Sequence, residues 1–587
     1  MEKLYLAVSG QTEAMSTFCG TPAQSELSAF GDWLRLTGNA RVSTCAETPY
    51  IILQTGYITN ADKLKGSSCL SDSIKTINGS FALIKINTKN RVITILSDRW
   101  ASRALWYYYD NGTWHIASDL MDMSENSPHR RSINAANFTS LLMRGRPADN
   151  GSLLAGIQRM RPGEAITLYP DGHTVTEQWH RLKYIPDKNL SFGEAASVLA
   201  AYLAESAANV NKTAERSPIL FLSGGMDSRL TLSAFTQEVR PYCVTLGDKL
   251  NYEASVAMKV AASAGTKNRL FLRDQFWYLR DLENFVRFSG GCYHFSHAHF
   301  SQACKMPDIG GSDFIMGDWM ELFQKVFYNE NATYHTPKEL ANALSACDGI
   351  YANNRWTASL SVIKPKYQAD FYNSWHAKTL AKAEEAFSAS SELPLVCEYL
   401  LRTNSVYELP TFAMHENIRM AGQEYALFWD NKVSDFMFSL PYALRKHSRL
   451  SCEVIKKLAP ELLTIPNANT MLPPALPPAI TTTALKLRSF AGAARKKFTA
   501  MTKSNNYSHM GSWQNLHLLC STNPVWTEYI NKTIFHNIDL PEFIDMESAK
   551  NAWTMFQSGH FEYAFEIYAL LNLAIINSHN GNGQYEL

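Results

Sequence analysis

The sequence predicts a mixed α/β protein: a first third of antiparallel sheet, then a parallel sheet covered by helices, then a helical C-terminal region. Three observations predict it. Up to about residue 180 the chain reads as short alternating segments, among them PYIILQTGYITN, GSFALIKINTKNRVITILSD and ALWYYYDNGTWHIASD. That is the grammar of half-buried strands, with hairpin turns at Thr88–Asn90 and Asn111–Gly112. From about residue 190 short apolar strands alternate with helical patterns, which implies parallel strands joined by helical crossovers. Finally, the 587 residues are 46% hydrophobic, 12% aromatic and only 19% charged, so the chain can bury more than one large core.

The elements follow in order. ASVLAAYLAESAANV is helix-like, SPILFLSGG is a short strand ending in glycines, and VRPYCVTLG is a second strand. EASVAMKVAASAGT is a helix closed by Gly265, the residue type that tolerates the left-handed conformation ending a helix. Beyond about residue 330 helical patterns dominate. MLPPALPPAITTT, at 471–483, is an uncharged, proline-rich loop or linker, and ALKLRSFAGAARKKFTA after it is a basic amphipathic helix read first as a solvated face and second as a membrane-surface or partner-docking helix. The predicted organisation is a sheet domain over 1–185, an α/β domain over 190–470, and a linker with a helical extension over 471–587.

Composition excludes several classes. Lys and Arg number 55 against 54 Asp and Glu, which removes the electrostatic case for a nucleic-acid or anionic-membrane binder. The 10 cysteines are scattered with no CxxC pair, arguing against a zinc ribbon and a disulfide framework. MEKLYLAVSG has no basic segment followed by an apolar run, and no uncharged stretch approaches the ~18 residues of a membrane span. The expectation is a cytoplasmic protein with no nucleic-acid partner and no transmembrane segment.

The strongest chemical signal is ILFLSGGMDSRLTLSAF, residues 219–235, where an apolar strand runs into Ser223, Gly224, Gly225, Met226, Asp227 and Ser228 and then a helix. Glycines let the backbone approach an anion, and a helix start offers unpaired N–H groups. Ser223 and Ser228 add hydroxyl donors, and Asp227 has the oxygen chemistry to hold Mg²⁺ against phosphates. A Walker-type GxxxxGK[ST] is absent.

With these residues in place, the sequence resembles the asparagine synthetase-like amide-forming ligases of the PP-loop class, whose members include β-lactam synthetases and lasso-peptide cyclases. Their signature is SGGxDS. GSFALI at 79–84, SDRWASRALWYY at 97–108, IASD at 116–119 and GIQRMRPGEAITL at 156–168 resemble the family's GxFA, RDxxGxxPLYY, aSE and GIxxLxPGhxL segments in the same order. The resemblance implies a degenerate, Ntn-type glutaminase-like layered domain followed by a PP-loop ATP-pyrophosphatase domain of the adenine nucleotide α hydrolase-like kind. It implies ATP and Mg²⁺ as cofactors and release of AMP and pyrophosphate.

The departures carry information too. Glutamine-hydrolysing members use a cysteine exposed as the first residue, whereas position 2 here is Glu2, and TGYITN at 55–60 replaces the glutamine-binding NGEIYN. Loss of glutaminase activity leaves an amine carried by the substrate or a partner as nucleophile. GGSDFIMGDWMELF at 310–323 resembles the second nucleotide segment, which implies Met316 and Gly317 beside the nucleotide, Glu321 as second Mg²⁺ carboxylate and Asp318 near the reacting amine; VTLG at 244–247 resembles the nucleotide strand, which implies Leu246 there too. QEYALFWDNKVSDFMFSLP at 423–441 implies Glu424, or Gln423, at the family glutamate, and Asp430 at its aspartate. Asp318 with Glu424 would then form the base pair, and Arg449 would stand near the family lysine, keeping its charge without giving up a proton, with Lys446, Lys456 and Lys457 as alternatives or plain surface charges. Glu253 is placed either near the phosphates or on a solvated helix face. His294, His297 and His299 in HFSHAH read as packing, pocket lining or, with Cys292, a thin metal set.

The expected reaction is ATP-dependent amide formation through an acyl-adenylate, with closure of a macrolactam ring in a lasso-type precursor peptide as the leading substrate class. A precursor peptide and a leader peptidase are the implied partners. The alternatives are β-lactam synthetase-like cyclisation of a small molecule, an amidotransferase using free ammonia, and a non-catalytic scaffold of a biosynthetic complex.

Overall fold

A computed structural model describes residues 4–9, 34–38, 41–44, 49–60, 74–120, 123, 132–181, 185–303, 306, 309, 312–317, 334–345, 359–389, 396, 410–419, 422–445, 448–476, 480, 483, 514–536 and 540–578. Among the described residues the first part holds eleven strands: β1 (Leu4–Ser9), β2 (Leu34–Gly38), β3 (Arg41–Thr44), β4 (Tyr50–Ile58), β5 (Gly79–Asn87), β6 (Ile93–Ser97), β7 (Trp106–Asp110), β8 (Thr113–Ala117), β9 (Gln158–Arg159), β10 (Glu164–Leu168) and β11 (Thr174–Gln178). They form two antiparallel sheets, in the orders β2-β1-β8-β7-β9 and β11-β10-β6-β5-β4-β3. Alternate residues of both sheets, including Leu4, Leu6, Trp114 and Ile116 from one and Ile51, Leu53, Ile84, Ile95 and Ile166 from the other, share one core. The layered antiparallel architecture expected of the first third is therefore present.

Asp98 organises the turn between β6 and β7. Its carboxylate accepts from the N–H groups of Phe81, Trp100 and Ser102 and from the Ser102 hydroxyl. Inside that turn Ala101 lies at φ +47°, in the left-handed region that favours glycine.

The second part contains β12 (Ile219–Phe221), β13 (Tyr242–Gly247), β14 (Asn268–Leu272), β15 (Phe314–Ile315) and β16 (Glu424–Tyr425). Their order is β14-β13-β12-β15-β16, and every neighbouring pair is parallel. Helices cover both faces. Leu220, Cys243 and Ile315 point into a core with α2 (Phe192–Thr213), α3 (Asp227–Ser233), α4 (Tyr252–Ser263), α6 (Asn431–Ser439) and α7 (Arg449–Leu458). Their neighbours Ile219, Phe221, Val244, Leu246, Phe314 and Met316 point into the opposite core. There they meet α1 (Ala135–Arg144), α5 (Pro410–Arg419), α8 (Leu516–Thr522), α9 (Pro524–Asn531), α10 (Met546–Gln557) and α11 (Ala564–Ser578). Apolar residues on both faces of short strands are what a parallel sheet under two helix layers requires.

The C-terminal helices are thus a wall of the second core. α11 is buried on every side, including Glu566, Asn572 and Asn577. The basic segment at 484–500 lies outside the described residues.

Candidate functional site

The chain leaves β12 for β13 and β14 on one side and then crosses back to β15 and β16 on the other. The order of strands therefore reverses between β12 and β15, and open α/β sheets bind ligands outside the carboxyl ends of the strands at such a point. The residues there are Ser223–Ser228 after β12 and Met316–Gly317 after β15.

The Ser223–Ser228 loop is tied by its own serines. The Ser223 N–H donates to Ser228 Oγ at 3.0 Å, the two hydroxyls lie 3.1 Å apart, and the Gly225 N–H donates to Ser223 Oγ at 3.2 Å. Among the described residues, the N–H groups of Gly224 and Met226 make no hydrogen bond, and α3 begins without a side-chain cap. Close approach explains two glycines. A methyl on Gly317 would stand 2.8 Å from Ser228 Cα, and one on Gly224 would stand 2.6 Å from Ala468 Cβ and 3.0 Å from the Glu253 carbonyl oxygen. Gly317 thus lies directly against the start of α3, and Glu253 borders the loop. Leu246 and Met316 are buried at the ends of their strands, and Asp227 is half-buried at the first position of α3. Open backbone donors, two hydroxyls and a glycine floor suit a polyphosphate, and the carboxylate of Asp227 suits Mg²⁺. Asp318 and Glu321 lie outside the described residues.

Glu424 has a different setting. It is fully buried; Arg419 Nε donates to Oε2 at 2.5 Å, and the His415 ring meets Oε1. Burial alone would raise its pKa, but Arg419 and His415 outweigh that and hold it down at about 2. A carboxylate so committed is a poor proton acceptor, which counts against the expected pairing with Asp318. The cluster faces the first part of the chain. Arg419 Nη1 donates to the Ser102 carbonyl and to Glu416 at 2.9 Å, Arg103 Nη2 donates to the Glu424 carbonyl at 3.2 Å, and Arg159 lies 3.7 Å from Glu416. Sequence reasoning missed these partners because they come from five to more than three hundred positions away.

Arg449 is exposed at the first turn of α7, its guanidinium 5.2 Å from the Phe192 ring centre, and no hydrogen bond or ion pair holds it among the described residues. The expected role near the family lysine finds no support in that position. Asp430 caps α6 through the Lys432 N–H and accepts from Asn78 at 2.8 Å, joining the two parts of the chain. Gly56 and Tyr57 of TGYITN belong to β4, and the Tyr57 ring lies 4.4 Å from that of Tyr425.

The histidines divide. His294 is buried, its Nε2 3.2 Å from the Leu141 carbonyl, and burial beside His297 lowers its pKa to about 3. His299 Nδ1 meets the Tyr278 hydroxyl at 2.8 Å, and its neighbour Phe300 packs against Phe221 of β12 at 4.7 Å. No group of three metal-ligating side chains occurs among the described residues. Nor is any described helix long and apolar enough to cross a membrane.

Comparison with known proteins adds little. No family model matches the chain, and no curated protein matches it. Among solved structures, a glutamine phosphoribosylpyrophosphate (PRPP) amidotransferase from B. subtilis, complexed with ADP and GMP, is 11% identical over 54% of this chain and 68% of that one, with a TM-score of 0.19. A second, described as the allosteric regulatory enzyme of purine biosynthesis, is 11% identical over 46% of this chain and 74% of its own, with a TM-score of 0.20. Likeness at that level carries no argument about fold or activity.

Proposed function

We propose that the chain is an ATP-dependent amide-forming ligase, with Ser223–Ser228 and Gly317 as its nucleotide site and macrolactam closure of a peptide as its reaction. The observation that carries the reading is the pair of open N–H groups in a serine-tied glycine loop, set where the parallel sheet reverses its order.

In this reading a carboxylate oxygen of the substrate attacks the α-phosphorus of ATP. The bond to the β-phosphate breaks, and pyrophosphate leaves from the acyl-adenylate. The loop N–H groups and the Ser223 and Ser228 hydroxyls hold the phosphates and receive the charge that develops there. Asp227 and Glu321 would hold Mg²⁺, which would supply positive charge against the phosphates. An amine of the same substrate then attacks the acyl carbon and loses a proton, the bond to AMP breaks, and an amide remains. Proton removal is assigned to Asp318, because Glu424 is committed to Arg419 and His415. Arg449, stacked on Phe192 at the surface, is given no part. Holding amine and carboxyl on one substrate is worth about 7–11 kcal/mol in effective concentration.

The test is product analysis after incubation with Mg·ATP and either leader-processed peptides or small amino-diacids, with and without ammonia. The reading expects AMP, pyrophosphate and a peptide lighter by one water, independent of ammonia, and loss of all three in Asp227→Ala. Turnover that requires ammonia would replace cyclisation by amidotransfer. ATP-independent partner binding that Asp227→Ala leaves intact would make the protein a scaffold.

A further inference from the structure

The loop has a second wall that the sequence motif does not announce. After α7 the chain makes a short 3₁₀ turn at Pro460–Thr464 and then a closed turn over Asn467–Leu472, in which the Asn467 N–H donates to the Leu472 carbonyl and the Met471 N–H to the Asn467 carbonyl. This strap touches the loop directly: the Ala468 N–H donates to the Gly224 carbonyl at 3.0 Å. Its base is fastened by Arg240, 3.1 Å from Glu461.

One side chain joins strap and loop from within. Arg229, two residues beyond Asp227, is fully buried behind the loop. Its Nη1 donates to the carbonyls of Leu462 at 3.0 Å and Ile465 at 2.7 Å, and its Nη2 to that of Pro466 at 2.9 Å. All three acceptors are neutral. A buried guanidinium whose hydrogen bonds all go to carbonyls of one segment, its Nε making none, is a costly way to staple a chain, and a planar fork of donors suits that task as an ammonium cannot. It is placed so that any movement of the strap is felt at Gly224 and at the first turn of α3.

We propose that Arg229 is the positioning residue of the nucleotide site: by gripping Leu462–Pro466 it seats the Asn467–Leu472 turn on Gly224 and sets the shape in which the loop accepts a nucleoside triphosphate. The proposal rests on the reading of Ser223–Ser228 as that site, and the experiment below tells its failure from the failure of that reading.

The experiment compares full-length wild type with Arg229→Lys, by amide hydrogen exchange over residues 465–472, Mg·ATP binding, and kinetics of pyrophosphate release. The expected result is exchange at the Ala468 amide faster by roughly tenfold or more, with the Mg·ATP Kd and the KM for ATP raised by a similar factor. In the same variant kcat changes by less than about twofold, because the strap shapes binding and touches no reacting atom. A staple with only a structural part would speed exchange and leave Kd and KM where they were, which overturns the proposal. Unchanged exchange also overturns it. Failure of wild type to bind Mg·ATP overturns the loop reading, and the proposal with it.

Should Arg229→Lys not fold, Gly224→Ala approaches from the other side, since its methyl would meet Ala468 Cβ at 2.6 Å. Adding Ala468→Gly removes that clash and leaves only the approach to Glu253, whose carbonyl oxygen lies 3.0 Å from the same methyl. The pair is expected to recover strap protection and part of the lost affinity, and no recovery of either counts against the coupling.

Discussion

Two buried carboxylates behave oppositely because of their company. Glu424 is held at about 2 by Arg419 and His415, so its contribution to stability is present above the unfolded-state value near 4.5 and is lost as pH falls towards 2. Glu566, 1% exposed on the apolar helix α11, has its pKa raised to about 7 by burial, with Glu562 adding to the shift. Here the sign reverses: the protonated form is the one the core accepts, so stability is fully present below about 4.5 and lost as pH rises through about 7. Glu566→Gln is expected to raise the unfolding free energy at pH 8 by an amount on the order of 2–3 kcal/mol, read as a higher urea midpoint, and to leave it nearly unchanged at pH 4.5. Equal midpoints for variant and wild type at pH 8 would contradict this. Neither shift was legible in the sequence. Glu424 stands in a recognisable motif, yet its fate is decided by Arg419 and His415 on another element and by the Ser102 and Arg103 turn far upstream.

Among the elements, β12, its glycine loop and α3 were legible because the signal is local: an apolar triplet, two adjacent glycines and two serines spaced to bond each other. The order of the parallel strands was not, since it depends on crossovers that bring residue 314 beside residue 219. The strap carries no motif of its own, and only Met471 and Leu472 of it fall in the proline-rich linker predicted over 471–483; its contact with Gly224 is fixed by Arg229, whose position directly after SGGMDS is the available signal. Gly317 tests this arrangement. Its methyl in Gly317→Ala would meet Ser228 Cα at 2.8 Å and the Ser228 nitrogen at 2.9 Å, both backbone atoms that cannot step aside cheaply. The expected outcome is a Kd for Mg·ATP raised by roughly tenfold or more with the fold retained by circular dichroism; unaltered binding would place the nucleotide elsewhere.

At the scale of the molecule, the antiparallel part and the parallel part share cores. Tyr57 and Trp100 belong to the core over one face of the parallel sheet, and Trp106, Tyr108, Phe138 and Leu141 to that over the other. Trp100 lies against Phe428 at 4.7 Å and Phe438 at 5.4 Å. Each such aromatic buries apolar surface worth about 2–3 kcal/mol, and stripping several away exceeds the margin of an ordinary domain. Residues 190–587 expressed alone are therefore expected to be insoluble or to bind a hydrophobic dye, and a soluble fragment with a cooperative thermal transition would show that the interface is dispensable. The central claim is chemical: a substrate carboxylate is activated as its adenylate at Ser223–Ser228. The most direct measurement is the fate of ¹⁸O placed in that carboxylate, read by mass spectrometry of the nucleotide and phosphate products. The account predicts one labelled oxygen in AMP for each amide formed. Label in inorganic phosphate with ADP as co-product, or amide formed with unlabelled AMP, would contradict it.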